Sequence, residues 1–455
     1  MSTLAERLLA GRGPMLDTAQ GVIDRAAFAR EVEDAAQTLR SKGIGRGCIV
    51  AWLGLNSAGM LAQLLACERL GAVWMPLNWR LAPAELQQQL SHAGAALLVH
   101  DEAWASTAAA LRCEPGADAL PPGDLMLVYT SGTTGQPKGA LHTQASMLAN
   151  LEMAIDAQGL DATTRALAVL PLFHVGGLAI QVLPTLAAGG VVRLHARFDA
   201  DAWFDDVERW RPTTTLLVPA VMRALVEHPR WATADLSSLA FVNSGSQIVP
   251  RALIERFHAR GVPVAQVYGA TETGPVSIVL RPAEALAHVG SAGRPARDVQ
   301  VRLVDGEVQL RAPNLARGYH RLPHDAAFAD GWFRTGDLAR VDEAGFVEIV
   351  GRTKDLIISG GENIHPAEIE QLALADPAVA DAAAIGLPDA RWGEVPVLAV
   401  VARAGRGVDE ARLRAALEAR LARFKQPRRI VVLDALPKTA LGKVRKSALA
   451  QSLQG

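Results

Sequence analysis

"DLMLVYTSGTTGQPKG", residues 124–139, joins an apolar run to eleven residues that hold three glycines, four Ser or Thr hydroxyls, one proline and one lysine. Glycines let a backbone approach a ligand closely, hydroxyls and amides donate hydrogen bonds, and Lys138 offers a cation. A P-loop would need GxxxxGK[ST]. Counting from Gly132, the second glycine position is Pro137, which has no amide hydrogen, and Gly139 follows Lys138. That reading fails. A different cradle for a polyphosphate and an ordinary surface turn both stay open on residue chemistry alone.

Working outward, helical and strand patterns alternate along most of the body, which predicts an α/β fold with largely parallel sheets. Pro83 suits a first helical position, Leu86, Leu90 and Ala93 share a face, and Gly94 supplies the stop. Met147, Leu148, Leu151 and Ile155 form another helical stripe, so the quoted loop is expected between a strand and a helix. Residues 166–192 carry no Asp, Glu, Lys or Arg, yet Pro171, Pro184, two Gly-Gly pairs, His174 and Gln181 break the run. Buried strands, turns and a short helix are expected there, not a membrane span. After about residue 350 the pattern changes to a helix from Pro366, strands near 379–386 and 395–401, and a helix with Leu413, Leu417 and Leu421 on one face. This reads as a smaller α+β domain.

With 455 residues, half hydrophobic and 20% charged, the chain is long enough for two or more domains with large cores. A net charge of −1 gives no global field for nucleic acid or an anionic membrane. Charge is nevertheless uneven: residues 403–455 hold 13 Lys and Arg against 4 Asp and Glu. Cys48, Cys67 and Cys113 are odd in number and form no CxxC, which argues against a disulfide framework or a structural zinc site. The opening residues do not read as a secretory signal. A cytoplasmic protein is expected.

The stretch "YTSGTTGQPKG" resembles the signature loop of the adenylate-forming superfamily, which includes acyl- and aryl-CoA synthetases, adenylation domains and firefly-type luciferases. Further motifs follow in family order: "PLFHVGGL" at 171–178, "YGATETG" at 268–274, "RTGDL" at 334–338, "GRTKDLIISGGENIHPAEIE" at 351–370 and "PKTALGK" at 437–443. The resemblance implies a large N-terminal domain, residues 1–353, of stacked α/β subdomains plus a small β-barrel. A smaller, mobile α+β domain, residues 354–455, would turn about a hinge near Lys354. It implies acid–thiol ligase chemistry in two steps: a carboxylate attacks the ATP α-phosphate to give acyl-AMP, and CoA then displaces AMP. Magnesium would assist, with ATP and CoA as co-substrates.

Residue by residue, the same resemblance assigns Lys443 to bridge carboxylate and phosphate, Glu272 to magnesium and Thr271 to the α-phosphate, with His174 as a further catalytic residue. ATP or AMP would be held by Thr130, Ser131, Gly132, Thr133, Thr134 and Lys138, by Ser244, Gly245, Ser246 and Gln247, by Tyr268 and Gly269, and by Asp337 and Arg352. Gly360, Gly361, Trp392 and Phe424 would meet CoA. The acid pocket would take His174, Val175, Gly176, Gly177, Val218, Met222, Val267, Gly269 and Thr273. Its wall segments contain no Lys, Arg, Asp or Glu, so a second substrate charge would be buried unpaired. A monocarboxylic acid with an uncharged tail is expected, with Arg223 the one nearby cation able to change that. Gly176, Gly177 and Gly269 suggest room for a flat ring, favouring benzoate- or cinnamate-type acids over a medium-chain fatty acid.

Alternative readings are an acyl-AMP ligase that loads a carrier protein and a nucleotide-binding regulator without catalysis; Glu272 and Lys443 together oppose the second. Amino-acid activation would require an aspartate where His174 stands. No GxSxG supports a serine hydrolase. His320 and His324 are spaced like metal ligands, but Pro323 intervenes and a loop is the expected reading.

Overall fold

The computed structural model describes residues 2–116, 119–130, 138–322, 325–360, 362–439 and 442–454. Four sheets organise them. In the first, the strands Ile49–Leu53, Val73–Pro76, Leu97–His100 and Asp124–Thr130 are parallel, and Lys138–Thr143 and Gly318–Tyr319 extend the edge antiparallel. "IVAWL", Ile49–Leu53, is apolar and buried at every position, as a strand covered on both faces must be. The second sheet has nine strands around a parallel centre of Val264–Tyr268, Phe241–Gly245, Thr214–Leu217, Arg165–Ala168 and Val191–Leu194.

The two large sheets share a core. Trp52, Trp74 and Met126 of the first and Met15, Ala166 and Val192 of the second close on residues of the helices Arg25–Ser41, Ala58–Leu70 and Gln144–Gln158. Local signals set these helices. Ser57 and Thr143 accept N-terminal amides as caps, and Gly71 and Gly159 end their helices at φ 66° and 65°, a conformation that costs glycine nothing. The expected helix is Pro83–Ala93, with Gly94 left-handed behind it.

One local expectation is corrected. Residues 131–137 connect two antiparallel strands, Asp124–Thr130 and Lys138–Thr143, and the helix begins only at Gln144. "KGALHT" lacks a clear apolar alternation, yet Gly139, Ala140, Leu141 and His142 are all buried, which makes it an inner strand. The 166–192 region is two strands around a π-helical turn, Gly176–Val182, and a short helix, Leu183–Ala187. No helix among the described residues is long and apolar enough to cross a membrane.

The third sheet is antiparallel, with five strands including Glu307–Arg311, Trp332–Val341 and Val347–Arg352. Val308, Leu310, Ala339 and Val347 join it to the core beneath the second sheet. The fourth contains Ile357–Ser359, Glu362–Ile364, Val379–Asp389, Gly393–Ala402 and Arg429–Leu433. Two cores of its own cover it, one with Leu413, Leu417 and Leu421, the other with Leu449 and Leu453.

Candidate active site

Three groups of side chains converge where the C-terminal ends of the second sheet meet the third and fourth. The first is centred on Asp337, on the strand Trp332–Val341, directly across the ladder from Arg352. Arg352 Nε lies 2.6 Å from Asp337 Oδ1, and the Tyr268 hydroxyl donates to Oδ2 at 2.8 Å. Burial, followed by the neighbouring Asp337 charge, pushes the Tyr268 pKa well above its usual value, so this phenol stays a donor. A carboxylate held from both sides is preorganised to accept from a vicinal diol.

Lys443 comes into the same place from the other end of the chain. Its side chain keeps solvent access while protein surrounds it closely, the situation of a group in a cleft. Desolvation, then Arg352, pushes its pKa down to about 8, with Lys354 adding to the effect and Asp337 and Asp355 opposing it. The backbone presenting it is tight: Thr439 N–H donates to the Lys443 carbonyl at 2.7 Å, Arg445 N–H to Pro437 at 2.7 Å, and Lys443 N–H to Thr439 Oγ1 at 3.2 Å.

The second group surrounds Glu272, in the 3₁₀ turn Thr271–Thr273. The Tyr319 hydroxyl donates to Glu272 Oε1 at 2.6 Å, and Lys138 Nζ lies 4.8 Å from the centre of the Tyr319 ring while pairing with Asp325 at 2.5 Å. His142 is fully buried and its pKa falls to about 4 through desolvation, so the neutral ring donates from Nε2 to the Thr271 carbonyl at 2.7 Å. Buried amides brace the turn from behind: Asn314 Nδ2 donates to the carbonyls of Thr273 and Val276, and Asn150 Oδ1 accepts from Val276 N–H. No cluster of three or more His, Cys, Asp or Glu able to hold a metal occurs among the described residues. A lone, braced carboxylate fits a magnesium ion that arrives with phosphate oxygens and water as its other ligands. Thr130 ends the strand before the loop; Ser131, Gly132, Thr133 and Thr134 lie outside the described residues.

The third group is apolar. Val175, Val218, Met222, Val267 and Thr273 are buried, and His174 is half-buried with its Nε2 atom turned inward and without a hydrogen-bond partner among the described residues. Desolvation, then the nearby Arg80, lowers the His174 pKa to about 3, leaving a neutral ring at physiological pH. Ser246 sits at φ 68° and exposed at the end of the strand Phe241–Gly245, with Gln247 half-buried after it. Strain of this kind at the open end of a parallel strand aims a residue where regular geometry could not.

Several expectations change here. Ser244 does not point into the opening: its hydroxyl is buried and donates to the Leu217 carbonyl at 3.0 Å, beside Met222 Sδ. Gly177 and Gly269 do not reserve space for a ring, and Gly245 is packed in the same way. A Cβ on Gly177 would stand 2.6 Å from the Pro171 carbonyl oxygen, on Gly269 1.7 Å from that of Pro275 and on Gly245 2.2 Å from that of Val267, so close backbone packing requires them. Only Gly176 faces the opening, toward Ser246 Oγ at 3.7 Å. Arg223 leaves the pocket altogether and donates to the Ala380 carbonyl. The cation near the pocket is instead Arg80, whose guanidinium lies over Trp79 and Phe173.

The residues expected to meet CoA lie on the fourth sheet. Gly360 has φ 59°, its N–H donates to the Trp392 carbonyl at 2.7 Å, and a Cβ on it would strike the Trp392 ring at 2.6 Å. Trp392 and Phe424 remain exposed, at 38% and 41%. Gly361 lies outside the described residues. Lys354 is exposed in the 3₁₀ turn Thr353–Asp355, where the third sheet hands over to the fourth. An open groove of about 610 Å³ beside Arg193, His195 and Trp210 includes none of these residues. Tyr319, Asp325, His142 and Arg80 were not anticipated, because each belongs to a segment whose sequence reads as plain strand or loop.

Residues 23–320 match the AMP-binding enzyme family and residues 368–443 its C-terminal domain. The chain belongs to the AMP-binding enzyme family. It is 44% identical to an indoleacetate–CoA ligase of Aromatoleum aromaticum over 472 residues, covering 94% of this chain and 92% of that one. It is 41% identical to a feruloyl-CoA synthase of an Amycolatopsis species over 452 residues, covering 92% of each. The o-succinylbenzoate CoA synthetase of Bacillus subtilis, solved with its acyl-adenylate, superposes with a TM-score of 0.88 at 30% identity, over 98% of this chain and 97% of that one.

Proposed function

We propose that the chain is an ATP-dependent acid–CoA ligase for an aromatic monocarboxylic acid. The observation that carries the reading is the position of Lys443. It comes from the turn before the final helix, yet lies in the field of Arg352 and of Asp337, the carboxylate to which Tyr268 donates. In the first step an acid oxygen forms a bond to the α-phosphorus and pyrophosphate leaves with the bonding pair. Two anions must approach, so charge delivered by Lys443 and Lys138 lowers the barrier. Magnesium, held through Glu272 and the phosphates, would neutralise charge on the phosphate oxygens. Asp337 accepts from the ribose hydroxyls, Tyr268 lies along the adenine, and Thr271 donates to the α-phosphate. In the second step the CoA sulfur bonds to the acyl carbon and AMP leaves.

The site divides between a large domain, 1–353, and a small one, 354–455, with Lys354 as hinge. Gly360, Gly361, Trp392 and Phe424 form the route for CoA once the small domain has turned. The aromatic choice rests on the apolar walls at Val175, Val218, Met222 and Val267, on the opening at Gly176, and on the ring acids in the names of the relatives. Neutral His174 offers its unpartnered Nε2 to the acid. The test is a panel of indoleacetate, ferulate, benzoate, octanoate and succinate with ATP, magnesium and CoA, scored for kcat/KM and for AMP and thioester. An aryl acid should lead. Octanoate or succinate ahead of every aryl acid contradicts the pocket, and pyrophosphate without thioester points to a carrier protein as acceptor.

A further inference from the structure

The helix Pro219–Glu227 has two faces with different duties. Met222 and Leu225 turn inward and are fully buried, Met222 as a wall of the acid pocket. Ala220, Arg223 and Glu227, spaced three and four apart, share the other face. That face meets the fourth sheet and the loop of Lys443. Arg223 Nη1 donates to the Ala380 carbonyl and lies 3.8 Å from Asp381 Oδ1, and Glu227 pairs with Arg403. Gly442 packs so closely that a Cβ on it would come within 3.4 Å of the Ala220 methyl.

The chain of contacts continues to the catalytic lysine. The second oxygen of Asp381 pairs with Lys438, and Lys438 is bridged across the turn to Val444, the residue after Lys443. Arg403 also donates to the carbonyls of Pro377 and Val379, fixing the start of the strand that carries Asp381. The polar contacts of Arg223 with Ala380 and Asp381, and of Glu227 with Arg403, thus join the helix to the segments that brace Lys443.

We propose that Arg223 and Glu227 are positioning residues for adenylation: they dock the small domain on the helix that walls the acid pocket and thereby hold Lys443 at the phosphate. The inference rests on the ligase reading given above. Because the contact is absent once the small domain turns, weakening it should slow the first half-reaction and spare the second.

The test uses the full chain with Glu227→Arg, Arg403→Glu and the double swap, together with Arg223→Ala and Arg223→Lys. Partly exposed ion pairs contribute modestly, so each single swap should lower acid-dependent ATP–pyrophosphate exchange about threefold to tenfold in kcat with little change in KM. The double swap restores the ion pair but not the bonds from Arg403 to the Pro377 and Val379 carbonyls, so it should recover part of the loss seen in Arg403→Glu, and Arg223→Lys should lose less than Arg223→Ala. Thioester formation from supplied acyl-AMP should hold or rise in every variant. Hydrogen exchange of residues 377–381 and 437–446 should quicken in the single swaps, and that of 437–446 should slow again in the double. Unchanged exchange protection in the single swaps overturns the proposal whatever the activity, as does equal loss in both half-reactions or failure of the double swap to recover. An unsubstituted enzyme that exchanges pyrophosphate with no acid of the panel would instead overturn the ligase reading, and hydrogen exchange alone would then decide the docking.

Discussion

Lys443 and Trp392 both belong to the C-terminal part of the chain, and their surroundings differ in almost every respect. Lys443 is gripped by a short turn, crowded by Arg352, Lys354 and Asp337, and shifted in its acidity by them. Trp392 covers Gly360 on a surface where Ile358 and Phe424 are also open to solvent. On the proposed reading the first region serves adenylation and the second is the surface that CoA would meet. One rigid arrangement cannot serve two half-reactions at the same acyl carbon, so the contrast is what an enzyme that alternates between two poses should present when caught in the first.

The largest effect expected of a single change is Lys443→Ala, which should reduce ATP–pyrophosphate exchange by at least about a hundredfold, the scale of removing one donor to developing transition-state charge. Trp392→Ala should act on the other region, lowering kcat/KM for CoA about thirtyfold, the scale of a strong aromatic contact, while pyrophosphate exchange stays within about twofold. If exchange falls as far as the CoA step, the two regions are not separate.

Acidity sharpens the same contrast. A lysine whose pKa is lowered to about 8 carries its charge below that pH and loses it above, so kcat/KM for adenylation should fall as pH rises through 8, about tenfold per unit. The thioester step, measured from acyl-AMP, should lack that limb. Lys443→Arg keeps its charge and should remove the limb at lower overall rate. The smallest effect is expected at Tyr319→Phe, which deletes one hydrogen bond to Glu272. About fivefold in adenylation, with a raised magnesium requirement, is the expected result in a magnesium titration.

Much of this was legible in the sequence because its chemistry is local. Motif order places Asp337, Glu272, Lys138 and Lys443, and the α/β alternation and the change after residue 350 follow from periodicity and glycine stops. Contacts between distant segments were not legible. Tyr319 reaches Glu272 across 47 residues and Lys138 reaches Asp325 across 187. No spacing rule encodes such pairs. Ser244 was misjudged for a related reason: it occupies the last inward position of a strand, and its hydroxyl turns to Leu217 instead of the ligand side. Gly177 and Gly269 read in the sequence as room for a ring, although backbone approach from Pro171 and Pro275 requires them. Arg223 could be seen as a charge near the pocket, but only the docked fourth sheet reveals its partner.

The central claim is that one small domain serves two half-reactions from two regions, and its most direct test is single-turnover thioester formation by Lys443→Ala from CoA and preformed acyl-AMP. The account predicts a rate within about twofold of the unsubstituted enzyme, because the lysine that the first step cannot do without has no part in the second. A loss as deep as that in pyrophosphate exchange would contradict it.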